Sequence, residues 1–412
     1  MDAGAEVAVE LALAGEVVAW ALAGAALGTI SGLVPGLHAN NFALLLAGVA
    51  PSVPGPPLLV GCAMLAAGVV HTFLNAVPAL ALGVPDAEMA VTALPGHRLV
   101  LEGRGYEAIR LSALGSVLAV LVAVPLAVPV TMAVTAVYPT VRANLTLVLG
   151  VVAICLVVSE YGWRARLGAV LSFSLAAGLG MATLDLEPAA PLDGGGMLAP
   201  LFAGLFGAPV LIDAIRGGGV PPQDDRTVTM GRPLLGVTAL AGALAGAIVG
   251  YIPGISAAIA AVAVLLVIPS GTDDRSYIVA TSGVDTANTI FALFALVAIG
   301  QPRTGVMVAF ESAGAPLNLP VLVGVVVLAG LVGFVLVLVV GDVYLAVVGR
   351  MTYWRISTAV LAVLCLISYL FTGPLGVGVF LVAAAVGMVP VRLRARRVHL
   401  MGVLIGPLML GP

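Results

Sequence analysis

One acidic side chain stands where an acid is expensive. Asp285 lies in Thr281-Ser282-Gly-Val-Asp285-Thr286-Ala-Asn288-Thr289, inside a run that is otherwise apolar. An ionisable group within a membrane span costs at least ~3 kcal/mol, so its presence marks a functional position. Thr281, Ser282, Thr286, Asn288 and Thr289 add oxygens beside it. A carboxylate among hydroxyl and amide oxygens suits a coupling cation, either a sodium ion held at Asp285 or a proton. For the hydroxyls alone, back-bonding to the preceding helical turn is the plainer expectation. A second polar cluster, His71, Thr72, Asn75 and Pro78, lies in the first half of the chain.

Two backbone breaks are candidates to hold the other partner. Gly28-Thr-Ile-Ser-Gly32-Leu-Val-Pro35-Gly36-Leu returns as Gly246-Ala-Ile-Val-Gly250-Tyr-Ile-Pro253-Gly254-Ile, at a constant offset (246 − 28 = 218, 254 − 36 = 218). Gly-xxx-Gly lets helices pack closely in lipid, which accounts for the first part of each motif. Pro-Gly does more, because Pro removes a donor and clashes with the preceding turn, while Gly tolerates unwound backbone. Backbone groups freed at membrane depth are tolerated where protein or a watery cavity satisfies them. A helix restarting after each break aims its free N–H groups and positive dipole end at that break. The expected substrate is therefore a small organic anion. Its expected contacts are Pro35, Gly36, Asn40, Asn41, Asn75, Pro253, Gly254, Ser256 and Arg303.

Arg303 enters through a pairing. Asp86 follows Pro85 and Arg303 follows Pro302 at aligned Gly-x-Pro sites, so opposite charges hold equivalent positions. Either the two pair, or Arg303 grips a substrate carboxylate and Asp86 is its resting counter-ion. The alternative is that each caps a short helix at opposite membrane faces. Gln223-Asp-Asp-Arg226 and Thr272-Asp-Asp-Arg275 look alike but lack the spacing of a magnesium–diphosphate site, so they are expected to be solvated loop charges. Arg392 to Arg397 is expected to anchor at the membrane surface. Cys62, Cys155 and Cys365 are scattered in apolar runs and read as small hydrophobes, with no metal framework. Neither His-Glu-x-x-His nor Gly-x-Gly-Asp occurs. No resident cofactor and no enzyme activity are expected.

The elements that must position these groups are membrane helices. The 412 residues are 61% hydrophobic and 9% charged, against about 25% charge in soluble domains. Apolar stretches of about 20 residues recur along the chain, which predicts helices rather than a barrel. The first stretch follows an acidic start, so it is expected to be a retained span and not a signal peptide. The resemblance between halves continues from His71-Thr72 to Asn288-Thr289 (288 − 71 = 217) and on to both ends. This predicts two repeats, 1–216 and 233–412, joined by a cytoplasmic linker, 217–232. The Arg bias of equivalent loops is swapped: the Arg-free loop near 190 corresponds to the Arg-rich loop near 395, and the basic loop near 165 to Thr372-Gly373-Pro374. Arg marks the cytoplasmic side, so the repeats are expected to have inverted topology, about seven membrane segments each, with an extracytoplasmic N-terminus. Segments 37–50 and 255–268 are too short to cross and are expected to be re-entrant or half-spans.

Several of these stretches together resemble the large membrane subunit of the tripartite tricarboxylate transporters, the TctA-like permeases. The matching stretches are Gly28 to Leu37, Leu74-Asn75-Ala-Val-Pro78, Leu94-Pro95-Gly96-His97, Gly246 to Ala261 and Leu400-Met-Gly-Val-Leu-Ile-Gly406-Pro407-Leu. The chain departs at Arg303, where a small residue is usual, at His38, where Gly is common, and in its shorter length. The resemblance implies a secondary carrier for carboxylates in a prokaryotic cell membrane. It also implies work with a small membrane subunit and an extracytoplasmic substrate-binding protein. The reading that results is an all-α polytopic permease using alternating access, driven by Na⁺ or H⁺, in the lipid bilayer. A homo-oligomer is compatible with it, and no nucleic-acid partner is expected. The alternatives are a cation-coupled carrier of a non-carboxylate solute and an intramembrane enzyme.

Overall fold

A computed structural model describes residues 11–35, 37, 39–83, 93–192, 196–215, 221–223, 227–251, 257, 260, 264 and 273–410. Among these residues there is no strand, and eight helices are long and apolar enough to cross a membrane. The protein is an all-α polytopic membrane protein.

Small residues at four-residue spacing decide the first pairing. Helix α1 (Leu11–Leu33) buries Gly24, Gly28 and Gly32 along one stripe against α3 (Pro57–Leu74). A methyl at Gly24 or Gly28 would run into the carbonyl oxygen of Ala63 or Ala67. Helix α11 (Arg232–Tyr251) repeats this on α12 (Asp274–Ile299). There, a methyl at Gly242, Gly246 or Gly250 would lie 2.8, 2.7 or 3.2 Å from the carbonyl oxygens of Ala280, Val284 and Asn288. Backbone contact of this kind is what small residues provide when lipid offers no hydrophobic drive. The contacts are equivalent in detail. Gly32 faces Leu74 Cβ, Asn75 N and His71 O, while Gly250 faces Phe291 Cβ, Ala292 N and Asn288 O, each partner 217 positions on (71 + 217 = 288).

In both pairs the residue numbers rise together, so the two helices run parallel and the chain must come back between them. Helix α2 (Ala39–Val49) makes the return in the first half. Its Phe42 ring stacks on His71, near the end of α3, and Gly55 beyond it touches Trp20 in the middle of α1. The turn at Pro35 therefore lies level with His71–Asn75. Helix α4 (Ala76–Leu82) continues α3 for about 12 Å beyond that level.

The two parallel pairs then meet head to tail. Thr72 contacts Thr286 and Asn75 contacts Asp285, while Gly96 of α5 (Ala93–Leu101) touches both Leu80 and Ile278. Thus α3–α4 runs antiparallel to α12. Both stop the same way, at Gly83 (φ 67°) and Gly300 (φ 66°). The left-handed conformation there closes a helix C-terminus at no Cβ cost.

Two long helices flank this centre. Helix α6 (Gly105–Ala143) lies along α12, and α14 (Leu319–Val348) packs on α3 and α6. Between α12 and α14 lies the short α13 (Gly305–Ser312), beside α2 and α3. A second bundle is formed by α7 (Leu145–Val158), α8 (Trp163–Thr183), α9 (Leu198–Phe202), a π turn at Ala203–Gly207, α10 (Ala208–Ala214), α15 (Tyr353–Leu393) and α16 (Gly402–Leu410). Here the halves exchange partners. Helix α8 packs against α16, and α15 packs against the α9–π–α10 segment.

The loops sort by charge. The α7–α8 corner, with Arg164 and Arg166 nearby, meets the 396–399 segment through Glu160. The Arg-free loop near 190 meets the break in α15 at Gly373, where Leu192 N donates to Leu370 O at 3.0 Å. The Arg-bearing ends of α5, α6, α12 and α14 likewise gather with the linker. Gly105 N donates to Gln223 Oε1 at 2.6 Å, and Arg110 pairs with Asp342 at 3.3 Å.

Two sequence expectations about loop charge are corrected here. Asp273 and Arg275 are not merely solvated, because Arg275 pairs at 3.0 Å with Glu107, which is fully buried, and at 3.4 Å with Asp273. Arg396 is not a free surface anchor. It donates to Glu160 Oε1 at 2.9 Å and to Ser159, and Arg397 beside it is buried. In each case a carboxylate more than 160 residues away claims the cation (275 − 107 = 168, 396 − 160 = 236), and desolvated charges must be paired.

Candidate functional site

The polar groups of α3 and α12 meet at the centre of the antiparallel pair. Asn75 Nδ2 donates to Asp285 Oδ2 at 2.9 Å, and the hydroxyls of Thr72 and Thr286 lie 3.1 Å apart. Asp285 is 0% exposed, and Thr281, Ser282, Thr286, Asn288 and Thr289 are all buried with it. A carboxylate at this depth is tolerable only where hydrogen bonds and a proton or cation compensate it. Asn75 sits at the α3–α4 junction in helical conformation, its N–H donating to His71 O at 2.9 Å while its side chain reaches Asp285 on α12.

Neighbouring helices complete the shell. From α1, Ser31 Oγ lies 2.9 Å from His71 Nδ1, and Phe42 of α2 stacks on the imidazole at 5.8 Å. Ser31 is one turn before Pro35, so the first break is tied directly to the polar centre. From α6, Ser112 Oγ lies 2.8 Å from Ser282 Oγ, and Ser116 Oγ donates to Ser282 O at 3.3 Å. Sequence reasoning missed Ser31, Ser112 and Ser116. The four-residue spacing of Ser112 and Ser116, which puts both on one helix face, was the available signal.

The expected residues divide into four groups. Asn75, Thr281, Ser282, Asp285, Thr286, Asn288 and Thr289 gather at the centre. Of these, Thr281 does what the plainer expectation held, donating back to Tyr277 O at 2.5 Å. Pro35 lies in the turn after α1, where Leu37 N donates to Val34 O at 3.2 Å, and Asn40 and Asn41 begin α2, though their side chains lie outside the described ones. Gly36, His38, Asp86, Pro253, Gly254 and Ser256 lie outside the described residues. Arg303 stands apart. It follows the end of α12, roughly 22 Å along the helix from Asp285. Its guanidinium lies 5.2 Å over the Tyr138 ring and donates to the Tyr138 hydroxyl.

Two charged nodes fasten the surrounding scaffold. Glu107 accepts from Thr229 N and Thr229 Oγ1, each at 2.8 Å, and pairs with Arg104 at 2.7 Å. Glu160 accepts from Arg396 N at 3.0 Å and meets His399 Nε2 at 2.8 Å. Burial alone would raise the Glu160 pKa. The hydrogen bonds from His399 and Arg396 and the Arg396 charge outweigh it and hold the carboxyl down to about 2. Both nodes are fully engaged with protein groups, so they are fastenings rather than ligand sites. No group of three or more His, Cys, Asp or Glu with metal-binding geometry occurs among the described residues.

Comparison with known proteins adds the lineage. An uncharacterized protein of Methanocaldococcus jannaschii is 27% identical over 394 residues, which are 93% of this chain and 96% of that protein. No solved structure matches the chain. Residues 18–402 match the tripartite tricarboxylate transporter TctA family. That match takes in both Gly-xxx-Gly helix pairs, the Pro35 turn and the whole polar centre on α3 and α12. The chain belongs to the TctA family, the membrane transport proteins of the tripartite tricarboxylate transporters.

Proposed function

We propose that the chain is an ion-coupled secondary carrier for small organic anions, di- or tricarboxylates, working by alternating access. The observation that carries this is the compensated acid at the centre. Asp285 is fully buried, receives a hydrogen bond from the equivalent helix of the other half, and lies beside a chain reversal at Pro35. Buried, paired acids of this kind mark ion and proton pathways in membrane transporters. Asp285, Thr286 and Asn288, with Thr281, Ser282 and Thr289, serve the coupling ion, Na⁺ or H⁺. The anion lies between the Pro35-Gly36 and Pro253-Gly254 breaks, with Asn40, Asn41, Asn75 and Ser256 near helix N-termini. Arg303, held over Tyr138 far from Asp285, meets the carboxylate at the outer end of its path.

Inverted repeats, 1–216 and 233–412 about the linker 217–232, underlie the transport cycle. Equivalent helices running antiparallel, and loops meeting Arg-rich to Arg-rich, support that topology. With Arg on the cytoplasmic side, the N-terminus is extracytoplasmic and the protein sits in the cell membrane. Helix α2, which follows the turn at Pro35, belongs to the re-entrant or half-spanning segment 37–50 of the first half. Partners follow from the family name: a small membrane subunit and an extracytoplasmic substrate-binding protein.

Uptake of labelled mono-, di- and tricarboxylates by purified protein in proteoliposomes tests the reading, with Na⁺ and H⁺ gradients imposed separately. Saturable, gradient-driven uptake of a carboxylate is expected. Uptake confined to a non-carboxylate solute would refute the substrate class.

A further inference from the structure

Half-buried arginines in this protein find an acid. Arg104 and Arg275 pair with Glu107, Arg110 with Asp342, and Arg396 with Glu160. Arg303 is half-buried too, but among the described residues no Asp or Glu pairs with it. It stands past the end of α12, at the opposite end from Arg275. Its Nε is fully buried and forms no hydrogen bond. A cation taken out of water is costly unless an anion accompanies it, and a buried donor left unbonded adds to that cost.

The form of the vacancy names the missing group. The edge of a guanidinium that carries Nε and Nη2 takes a carboxylate side-on, through two parallel hydrogen bonds. Arg275 is held in this way, its Nε donating to Glu107 Oε1 at 3.0 Å and its Nη2 to Glu107 Oε2 at 3.3 Å. On Arg303 the same edge is half filled. Nη2 donates to the Tyr138 hydroxyl, Nε donates to nothing, and the guanidinium carbon lies 5.2 Å over the Tyr138 ring. A phenol supplies one neutral oxygen where a carboxylate would supply two charged ones.

We propose that the Nε–Nη2 edge of Arg303 binds one carboxylate group of the substrate side-on, and that Tyr138 closes this edge while the site is empty. The inference rests on the carrier reading above and deepens it. On binding, the phenol swings off the guanidinium and the two carboxylate oxygens take Nε and Nη2. No covalent bond changes and no proton is transferred. A neutral hydrogen bond gives way to two charge-assisted ones, each roughly twice as strong, and Nε gains the partner it lacks. A neutral amide brings one carbonyl acceptor and no charge, so the site selects the acid over its amide.

The test uses the full chain with succinate, citrate and the neutral diamide of succinate as probes. Two readouts are taken: the melting temperature of the purified protein in detergent, and counterflow of labelled succinate and citrate in proteoliposomes. A carboxylate should raise the wild-type melting temperature and the diamide should not. Arg303→Gln should lose that rise while melting like wild type without ligand, because no acid is left behind. Its counterflow KM should increase about tenfold or more, with the maximal rate within about twofold. Arg303→Lys keeps the charge without the edge and should fall between the two. Tyr138→Phe releases Nη2 and should lower KM by about threefold. Counterflow by Arg303→Gln at the wild-type KM would overturn the inference and leave the carrier standing. Equal rises with carboxylate and diamide would overturn it too. A carboxylate-specific rise that Arg303→Gln loses, in a wild type without counterflow, would uphold the site and overturn the carrier reading. Neither rise nor counterflow in wild type would overturn both.

Discussion

Positions 68 and 285 are equivalent in the two halves (68 + 217 = 285), yet one is Gly and the other Asp. Gly68 is pressed against Val306, where an added methyl would come within 2.6 Å of the valine methyls. Asp285 instead meets Asn75, and the position equivalent to Asn75 is Ala292 (75 + 217 = 292). Leu65 and Ser282 differ in the same way (65 + 217 = 282). The helix framework is thus repeated while its chemistry is not. The second half contributes the acid, the first half the amide that holds it, and both contribute hydroxyls.

The comparison breaks most severely if the acid is moved. Gly68→Asp would set a charge against Val306 in a packed interface, combining overpacking with an uncompensated buried carboxylate. A loss of about 3–5 kcal/mol is expected, read as a large fall in the melting temperature of the purified protein in detergent. Wild-type stability would show that position 68 has room and water the structure denies it.

A smaller effect is expected where the halves are fastened. Glu160→Gln leaves Arg396 and the buried His399 without their carboxylate, at a cost of about 2 kcal/mol near neutral pH. The sign with pH follows from the depressed carboxyl. Its stabilisation is complete above the ordinary value of 4.5 and is lost as pH falls toward about 2. Melting curves between pH 6 and 3 should therefore converge for wild type and Glu160→Gln. A gap that stays constant across that range would contradict the pairing.

The smallest effects sharpen the comparison of the Gly-xxx-Gly pairs. Gly24→Ala drives a methyl into backbone, whereas the methyl of Gly242→Ala meets Ala280 O at 2.8 Å. Losses of about 2 and about 1 kcal/mol are expected. The reverse order would mean that the α11–α12 pair, not α1–α3, is the tighter.

Much of this frame was legible because membrane helices carry strong signals. The Gly-xxx-Gly-xx-Pro-Gly recurrence marked both parallel pairs, and a lone acid in an apolar run marked α12. Ser31 did not announce itself, since it looks like any small residue in an apolar helix until a neighbour is placed, and for Ser112 and Ser116 the four-residue spacing was the one signal. The ion pairs escaped for another reason. Glu107 finds Arg275, and Glu160 finds Arg396, only after distant loops have come together, and nothing local distinguishes them from solvated charges. The exchange of α8 and α15 between halves was equally hidden, because periodicity says which face is buried and not against what. Arg303 was read from its aligned position, which gave no hint of Tyr138.

The central claim is that Asp285 couples the driving ion to transport. Uptake of labelled carboxylate by reconstituted wild type and Asp285→Asn, at matched protein density and with a cation gradient imposed, tests it most directly. The amide keeps the size of the acid and can still accept from Asn75, so folding is not at stake. The account predicts that gradient-driven accumulation falls about a hundredfold or more. Accumulation by Asp285→Asn equal to wild type would contradict it.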